Sequence, residues 1–119
     1  MKNIFWVDDE PLRAKTLNLN VNDGYLVVFA HGYDEIYYCL NLMGIVWDLI
    51  ILDHDMPRMN GVSVVQTFII DRSIPVVLCS VNKDGREKQA ALLTEYAVPF
   101  YDMPVTEPHF KRNIITILD

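Results

Sequence analysis

Short apolar runs alternate with helix-spaced apolar positions from one end of the chain to the other. Five runs have the length of buried strands, and they occupy residues 3–7, 25–30, 48–52, 75–79 and 99–101. Because most of these runs are apolar at consecutive positions, both faces of each strand are expected to be covered. The pattern is typical of a parallel sheet with helices packed on each side.

Helical segments separate these runs. The first is weakly patterned and is predicted over residues 11 to about 20, and Gly44 and Gly61 are predicted to end the second helix and begin the third. The last four helices carry apolar stripes at spacings of three and four residues: Ile36, Cys39, Leu40 and Met43; Val62, Val65, Phe68 and Ile69; Leu92, Leu93 and Tyr96; Phe110, Ile114, Ile117 and Leu118. Five strand–helix units joined by right-handed crossovers predict an α/β fold: a doubly wound, five-stranded parallel sheet of flavodoxin-like order 2-1-3-4-5, with helices on both faces.

Length and composition narrow the class of protein. A chain of 119 residues is long enough for one core, so a single domain over residues 1–119 is expected, with no output domain after Asp119. A hydrophobic fraction of 51% excludes a disordered chain, and 16 acidic against 10 basic residues disfavour a nucleic-acid partner. No apolar run approaches the roughly 18–20 residues of a membrane helix. The N-terminus lacks a signal-peptide pattern, and Cys39 and Cys79 lie among apolar neighbours without ligand spacing, so a cytoplasmic protein is expected.

Acidic residues follow the first and third predicted strands directly. Residues 8–10 are Asp, Asp and Glu, and residues 53–55 are Asp, His and Asp. In the predicted strand order these two strands are neighbours at the switch point, where ligands bind in doubly wound sheets. Carboxylates gathered at one point repel each other unless a cation lies between them, and oxygen ligands suit Mg²⁺. The sequence therefore predicts a magnesium site at this edge.

A carboxylate beside Mg²⁺ can also act as a nucleophile toward phosphorus and form an aspartyl phosphate. The fourth predicted strand ends in Ser80, whose hydroxyl is able to donate to a phosphoryl oxygen. Taken alone, Ser80 is better explained as an ordinary serine at the end of a strand.

Four segments together resemble the receiver domain of bacterial two-component response regulators, and the similarity covers essentially the whole chain. They are VDDEP at 7–11, DLIILDHDMPRMNG at 48–61, PVVLCS at 75–80, and the Met103-Pro104 step before the last helix. The second of these strings is long and specific.

The resemblance implies a role for each matching residue. Asp53 would accept the phosphoryl group, and Ser80 would contact it and report its presence. Mg²⁺ would be held by Asp8, Asp9, Asp53 and the backbone carbonyl of Asp55. Phe100 or its neighbour Tyr101 falls at the aromatic switch position on the fifth strand.

The resemblance also implies partners. The phosphoryl group would come from a histidine kinase, a phosphotransfer protein or a small phosphodonor. A downstream protein would bind at the fourth helix, fifth strand and fifth helix, and a homodimer is an additional expectation. The resemblance favours a phospho-accepting signalling domain over an enzyme.

One position departs from the family pattern. The family has a lysine immediately before the proline that follows the fifth strand, where it pairs with the phosphoryl group, and this chain has Met103. Lys83 lies on a different loop. The departure leaves the metal site intact but puts the phosphorylation rate in question, so a degenerate receiver that acts only as a protein-interaction module is a second hypothesis.

A partial similarity to a receiver-like group predicted to process cyclic phosphates gives a third hypothesis. It is carried by His54 after the third strand, by Ser80 and Asn82 after the fourth, and by Arg86, whereas Cys79 stands where that group has a histidine. Ser80, Asn82 and Arg86 could form an anion pocket at the start of the fourth helix, with His54 as an acid–base group or ligand. The simpler interpretation of His54 is a surface-loop residue without a role.

Overall fold

Five parallel strands form one sheet in the computed structural model, which describes residues 1–8, 10, 17–53, 55, 56, 59–106 and 108–119; at 55, 56 and 59 only the backbone is described. The strands are β1 (Lys2–Val7), β2 (Tyr25–Ala30), β3 (Leu49–Leu52), β4 (Val76–Leu78) and β5 (Phe100–Asp102). Their order across the sheet is β2-β1-β3-β4-β5. The predicted flavodoxin-like fold is confirmed.

Side chains of the central strands alternate between two apolar layers, one on each face of the sheet. Phe5 and Val7 of β1 pack on one face, whereas Ile4 and Trp6 pack on the other. The register aligns Val7 with Leu52 of β3, and both belong to the same layer. This two-sided burial explains the unbroken apolar runs in the sequence.

Four α-helices are described in full, and a single 3-10 turn over Val21–Asp23 precedes β2. They are α1 (Tyr33–Tyr37), which continues as a π-helical turn over Tyr38–Leu42; α2 (Gly61–Val64), which continues likewise over Val65–Ile69; α3 (Lys83–Glu95); and α4 (Phe110–Leu118). The first three pack against the face that carries Val7, and α4 packs against the face that carries Trp6. The predicted fourth and fifth helices are therefore α3 and α4. A short antiparallel ribbon of Asp55–Met56 and Met59–Asn60 precedes α2.

Most of the first predicted helix lies outside the described residues, since 11–16 are not among them. Leu17 is helical and buried, but Asn18 adopts a left-handed φ of 47°. The helix therefore does not reach residue 20 as predicted. Asparagine tolerates this conformation because its short polar side chain bonds locally, a property that a search for apolar periodicity does not detect.

Two predicted helix faces are partly wrong. On α2 and its π turn, Val64, Val65 and Ile69 are buried, whereas Val62 is only half-buried. The Ile70 amide donates to the Val65 carbonyl, five residues back, so the wider turn rotates the buried face away from the expected spacing. Tyr96 is also half-exposed, because it follows the end of α3 rather than continuing its inner face.

Both cysteines are buried and unbridged, as expected. Burial raises the pKa of the Cys39 thiol, and the charge of Glu35 raises it further, so this thiol stays protonated and packs as a small apolar group. None of the described helices is long and apolar enough to span a bilayer.

Gln89 is an expected weak point of the core. It is fully buried on α3, and neither polar atom of its amide has a hydrogen-bond partner among the described residues. An unsatisfied buried amide costs about 1–3 kcal/mol. Gln89→Leu should therefore raise the free energy of unfolding in urea by about 1 kcal/mol or more. Gln66→Leu, on the exposed side of α2's π turn, is the matched control and should change it little; a loss of stability in Gln89→Leu would show that the amide has a partner in solution.

Candidate functional site

Asp8 and Asp53 lie side by side at the carboxyl ends of β1 and β3. The Asp53 amide donates to the Val7 carbonyl at 3.0 Å, and the Asp8 amide donates to the Ala30 carbonyl at 3.0 Å, so both residues extend the sheet pairing by one position. Neighbouring strands lie about 4.8 Å apart, so the two backbones approach to about that distance. The predicted juxtaposition of these two strand ends is confirmed.

Both carboxylates are buried, with exposures of 1% for Asp8 and 0% for Asp53. Asp8 accepts a hydrogen bond from the Glu10 amide at 2.9 Å, which holds its side chain back over its own loop. Two carboxylates shielded from water disfavour each other's ionised form. A hard divalent cation with oxygen ligands would relieve that repulsion, so the donor set fits Mg²⁺.

Other predicted metal ligands are described only in part. Asp9 and His54 lie outside the described residues, and of Asp55 only the backbone is described, paired with Asn60 across the short ribbon. Among the side chains that the structure describes, no three acidic, histidine or cysteine residues form a metal-binding group.

Ser80 and Asn82 form the turn between β4 and α3. Ser80 is fully buried, and its Oγ accepts a hydrogen bond from the Asn82 amide at 3.1 Å. The Asn82 side-chain oxygen accepts from the Gly85 amide at 3.1 Å and so caps the N-terminus of α3. The Cys79 amide donates to the Leu52 carbonyl, which places Ser80 one residue beyond the level of Asp53 on the neighbouring strand.

Arg86 bridges the ends of β4 and β5 from the first turns of α3. Its Nε donates to Asp102 Oδ1 at 2.6 Å, and its Nη1 donates to the backbone carbonyl of Ser80. The Arg86 side chain is only 12% exposed, whereas that of Asp102 is 48% exposed. The positive charge of the Arg86 guanidinium is therefore within hydrogen-bond distance of the Ser80 backbone.

Met103 takes part in the backbone hydrogen bonding of the sheet and in the packing of the core. Its amide donates to the Leu78 carbonyl at 2.9 Å, and its partly buried side chain packs against the apolar layer that contains Trp6. Lys83 does not fill the place of the missing lysine: its side chain is 81% exposed and pairs with Glu87.

Phe100 lies on β5 opposite Val76 and packs partly buried against the layer between the sheet and α3. Its neighbour Tyr101 is 44% exposed. Of the two aromatic residues considered for the switch position, Phe100 therefore faces the core beside α3, and Tyr101 faces outward.

The sequence analysis missed Asp102. The signal was present, because Asp102 is an acidic residue at the end of a strand, as Asp8 and Asp53 are. Its partner Arg86 lies 16 positions away on a helix. That pairing depends on how α3 crosses the sheet, so a strand-end rule alone does not identify it.

The strand order, the two buried aspartates at the switch point, and the serine on the next strand define a flavodoxin-like α/β domain with an acidic site. A model of the response regulator receiver domain matches residues 4–107. The chain belongs to this family, and it is a receiver domain of two-component signalling.

Similar proteins are consistent with this assignment. The chain is 36% identical over 102 residues to a protein-glutamate methylesterase/protein-glutamine glutaminase 2 of Shewanella denitrificans; the match covers 82% of this chain and 28% of that protein. The chain thus spans less than a third of the length of this relative.

Solved structures share the fold. A CheY-like response regulator receiver domain from Methylobacillus flagellatus has a TM-score of 0.73 at 15% identity, covering 100% of this chain and 99% of that one. The response regulator protein TrrA from Thermotoga maritima, solved in complex with Mg²⁺-BeF, has a TM-score of 0.68 at 23% identity, covering 98% and 99%.

Proposed function

We propose that this receiver domain accepts a phosphoryl group on Asp53 in a Mg²⁺-dependent reaction and signals by changing a surface that binds another protein. The observation that carries the proposal is the pair of buried carboxylates, Asp8 and Asp53, on adjacent strand ends next to Ser80. A buried carboxylate in a polar crevice is a suitable nucleophile when a cation offsets its charge.

In the proposed step, a carboxylate oxygen of Asp53 attacks the phosphorus of a phosphohistidine or of a small acyl phosphate. A P–O bond to Asp53 forms, and the bond from phosphorus to the leaving group breaks; the leaving histidine takes up a proton, and a leaving acetate does not need one. Mg²⁺ held by Asp8, Asp9, Asp53 and the Asp55 carbonyl would neutralise negative charge on the phosphoryl oxygens. Ser80 would donate its hydroxyl proton to one of those oxygens.

The consequence for signalling follows from what Ser80 contacts. Its hydroxyl now accepts from the Asn82 amide, and a donation to a phosphoryl oxygen would reorient that hydroxyl at the start of α3. Phe100 packs against the same apolar layer as α3. A shift of the start of α3 would therefore change the packing around the Phe100 ring. We therefore place the partner-binding surface on α3, β5 and α4, with a histidine kinase or phosphotransfer protein as the donor.

We place the domain in the cytoplasm, because its two buried free cysteines suit a reducing compartment.

The two other hypotheses receive less support. The cyclic-phosphate hypothesis needs Asn82 to bind a ligand, but the Asn82 side-chain oxygen already caps the N-terminus of α3. The hypothesis of an interaction module without phosphorylation rests on Met103. That hypothesis does not explain why Asp8 and Asp53 are buried side by side.

Binding of beryllofluoride, a phosphoryl mimic, tests the proposal without depending on a donor. Calorimetric titration of the intact chain should show beryllofluoride binding only when Mg²⁺ is present, and Asp53→Asn should abolish it. Asp71→Asn, at an exposed position after α2's π turn, is the matched control and should bind as the wild type does. Mg²⁺-independent binding, or equal binding by Asp53→Asn, would contradict the proposal.

A further inference from the structure

Arg86 is a charged side chain placed where an anion on Asp53 would attract it. Its guanidinium contacts the Ser80 carbonyl, and Ser80 lies on the strand next to Asp53, one residue further along. With strands about 4.8 Å apart and a rise of about 3.3 Å per residue, the two backbones are roughly 6 Å apart. Since the guanidinium is hydrogen-bonded to the Ser80 carbonyl, it lies within roughly 9 Å of the Asp53 backbone, and the Asp53 side chain with its phosphoryl group would span part of that distance.

The Asp102 carboxylate contacts Arg86 through a single nitrogen, Nε. Nε donates to Asp102 at 2.6 Å, and Asp102 is about half-exposed to water, whereas the guanidinium is largely buried. Arginine has five N–H donors, and the two contacts named above leave others for a further acceptor. A phosphoryl group has about two negative charges and three acceptor oxygens, so it competes effectively for an arginine that is paired with one carboxylate.

Other described cations close in sequence are engaged elsewhere. Lys83 pairs with Glu87 and Lys88 pairs with Asp84, both on the outer side of α3. Position 103 is an apolar methionine packed into the core. These contacts leave Arg86 as the cation, among the described residues near Ser80, that is placed to serve the site.

We propose that Arg86 binds the phosphoryl group on Asp53, exchanging the Asp102 carboxylate for it. The inference rests on the proposed function and deepens it. Two consequences follow. Arg86 stabilises the phosphorylated form, and its departure frees Asp102 at the end of β5, so the charge at the partner-binding surface changes when Asp53 is modified.

The two partners of the ion pair should affect phosphoryl binding in opposite directions. Arg86→Gln should weaken beryllofluoride binding in the presence of Mg²⁺ by about tenfold or more, since a hydrogen bond to a charged group is lost. Arg86→Lys should restore part of the affinity, because a lysine keeps the charge without the fork of donors. Asp102→Asn should tighten binding severalfold, because Arg86 no longer has a competing carboxylate. Lys83→Gln, which removes an exposed charge from the same helix, is the control and should bind as the wild type does.

A purely structural ion pair gives a different pattern. Arg86→Gln and Asp102→Asn would then both lower thermal stability and shift beryllofluoride affinity in the same direction, or leave it unchanged, and either result overturns the inference. Circular dichroism checks that each variant is folded, and Asp102→Asn keeps the test decisive if Arg86→Gln unfolds. If the wild type and the Arg86 variants bind beryllofluoride equally well, that result contradicts this inference but not the proposed function. Wild type that binds none contradicts the proposed function, and the inference fails with it.

Discussion

Asp8→Asn should lose almost all of the stabilisation that we expect Mg²⁺ to give to the wild-type domain. Among the described residues, Asp8 and Asp53 are the buried carboxylates at the site, and an amide oxygen carries no full charge with which to hold a divalent cation. We expect the affinity for Mg²⁺ to fall by at least about a hundredfold. Wild type at a Mg²⁺ concentration one hundred times its Kd should gain about 2.7 kcal/mol, or roughly 10 °C in Tm. The variant should gain little at that concentration.

The same substitution should raise the Tm measured in excess chelator. Without a cation, the wild type holds two like charges out of water at adjacent strand ends, and Asp8→Asn removes one of them. The Asp8 contact with the Glu10 amide is kept, since the asparagine carbonyl also accepts a hydrogen bond, although a weaker one than the carboxylate does. Asp48→Asn is the matched control. Asp48 accepts a hydrogen bond from the Asn3 amide at the amino-terminal ends of β1 and β3, far from the acidic site, so that variant should keep the full response to Mg²⁺. An unchanged Mg²⁺ response in Asp8→Asn would rule out the metal site proposed here.

Ile50→Ala should cost about 2–5 kcal/mol of unfolding free energy. Ile50 is fully buried on β3, the central strand, and packs in the apolar layer beneath α1, α2 and α3. The cavity left by an alanine there is enclosed on all sides, so the surrounding structure relaxes only in part. Urea unfolding followed by circular dichroism measures the change.

Val46→Ala is the control for this experiment. Val46 is 81% exposed just before β3, so its truncation should change the unfolding free energy by no more than about 0.5 kcal/mol. A loss below about 1 kcal/mol for Ile50→Ala would mean that β3 is not the closely packed centre of the sheet.

The strands were predictable because burial on both faces makes them continuous apolar runs. β2 has the predicted bounds, β1 and β3 differ from theirs by one residue at the start, and β4 and β5 differ by one residue at each end. Helix faces were less predictable. The π turn at Val65–Ile69 and the left-handed Asn18 alter the helical spacing locally, and each depends on a backbone choice that apolar periodicity does not encode.

The site was predictable where it follows from topology alone. The strand order places β1, β3 and β4 next to one another. The residues that follow these strands, Asp8, Asp53 and Ser80, are therefore brought together independently of how the helices pack. The link from Arg86 to Asp102 was not predictable, because it depends on the angle and depth at which α3 packs on the sheet. The role of His54 stays a prediction, as it lies outside the described residues.

The replacement of lysine by Met103 has a physical meaning in this arrangement. The methionine contributes to the apolar layer around Trp6, and a cation is present nearby in Arg86 instead. If Arg86 acts as proposed, the chain has kept a positive charge for the phosphoryl group while moving it from the end of β5 to α3. The phosphorylated state would then be linked directly to α3, which forms part of the proposed partner-binding surface.

The most direct test of the central claim is the intact mass of the chain after incubation with Mg²⁺ and a small phosphodonor. Acetyl phosphate and phosphoramidate should each add one phosphoryl group to the wild type, and chelation of Mg²⁺ should prevent the addition. Asp53→Asn should gain none. A wild type that binds Mg²⁺ yet gains no phosphoryl group from either donor, or an Asp53→Asn variant that gains one equally well, would contradict phosphoryl acceptance on Asp53.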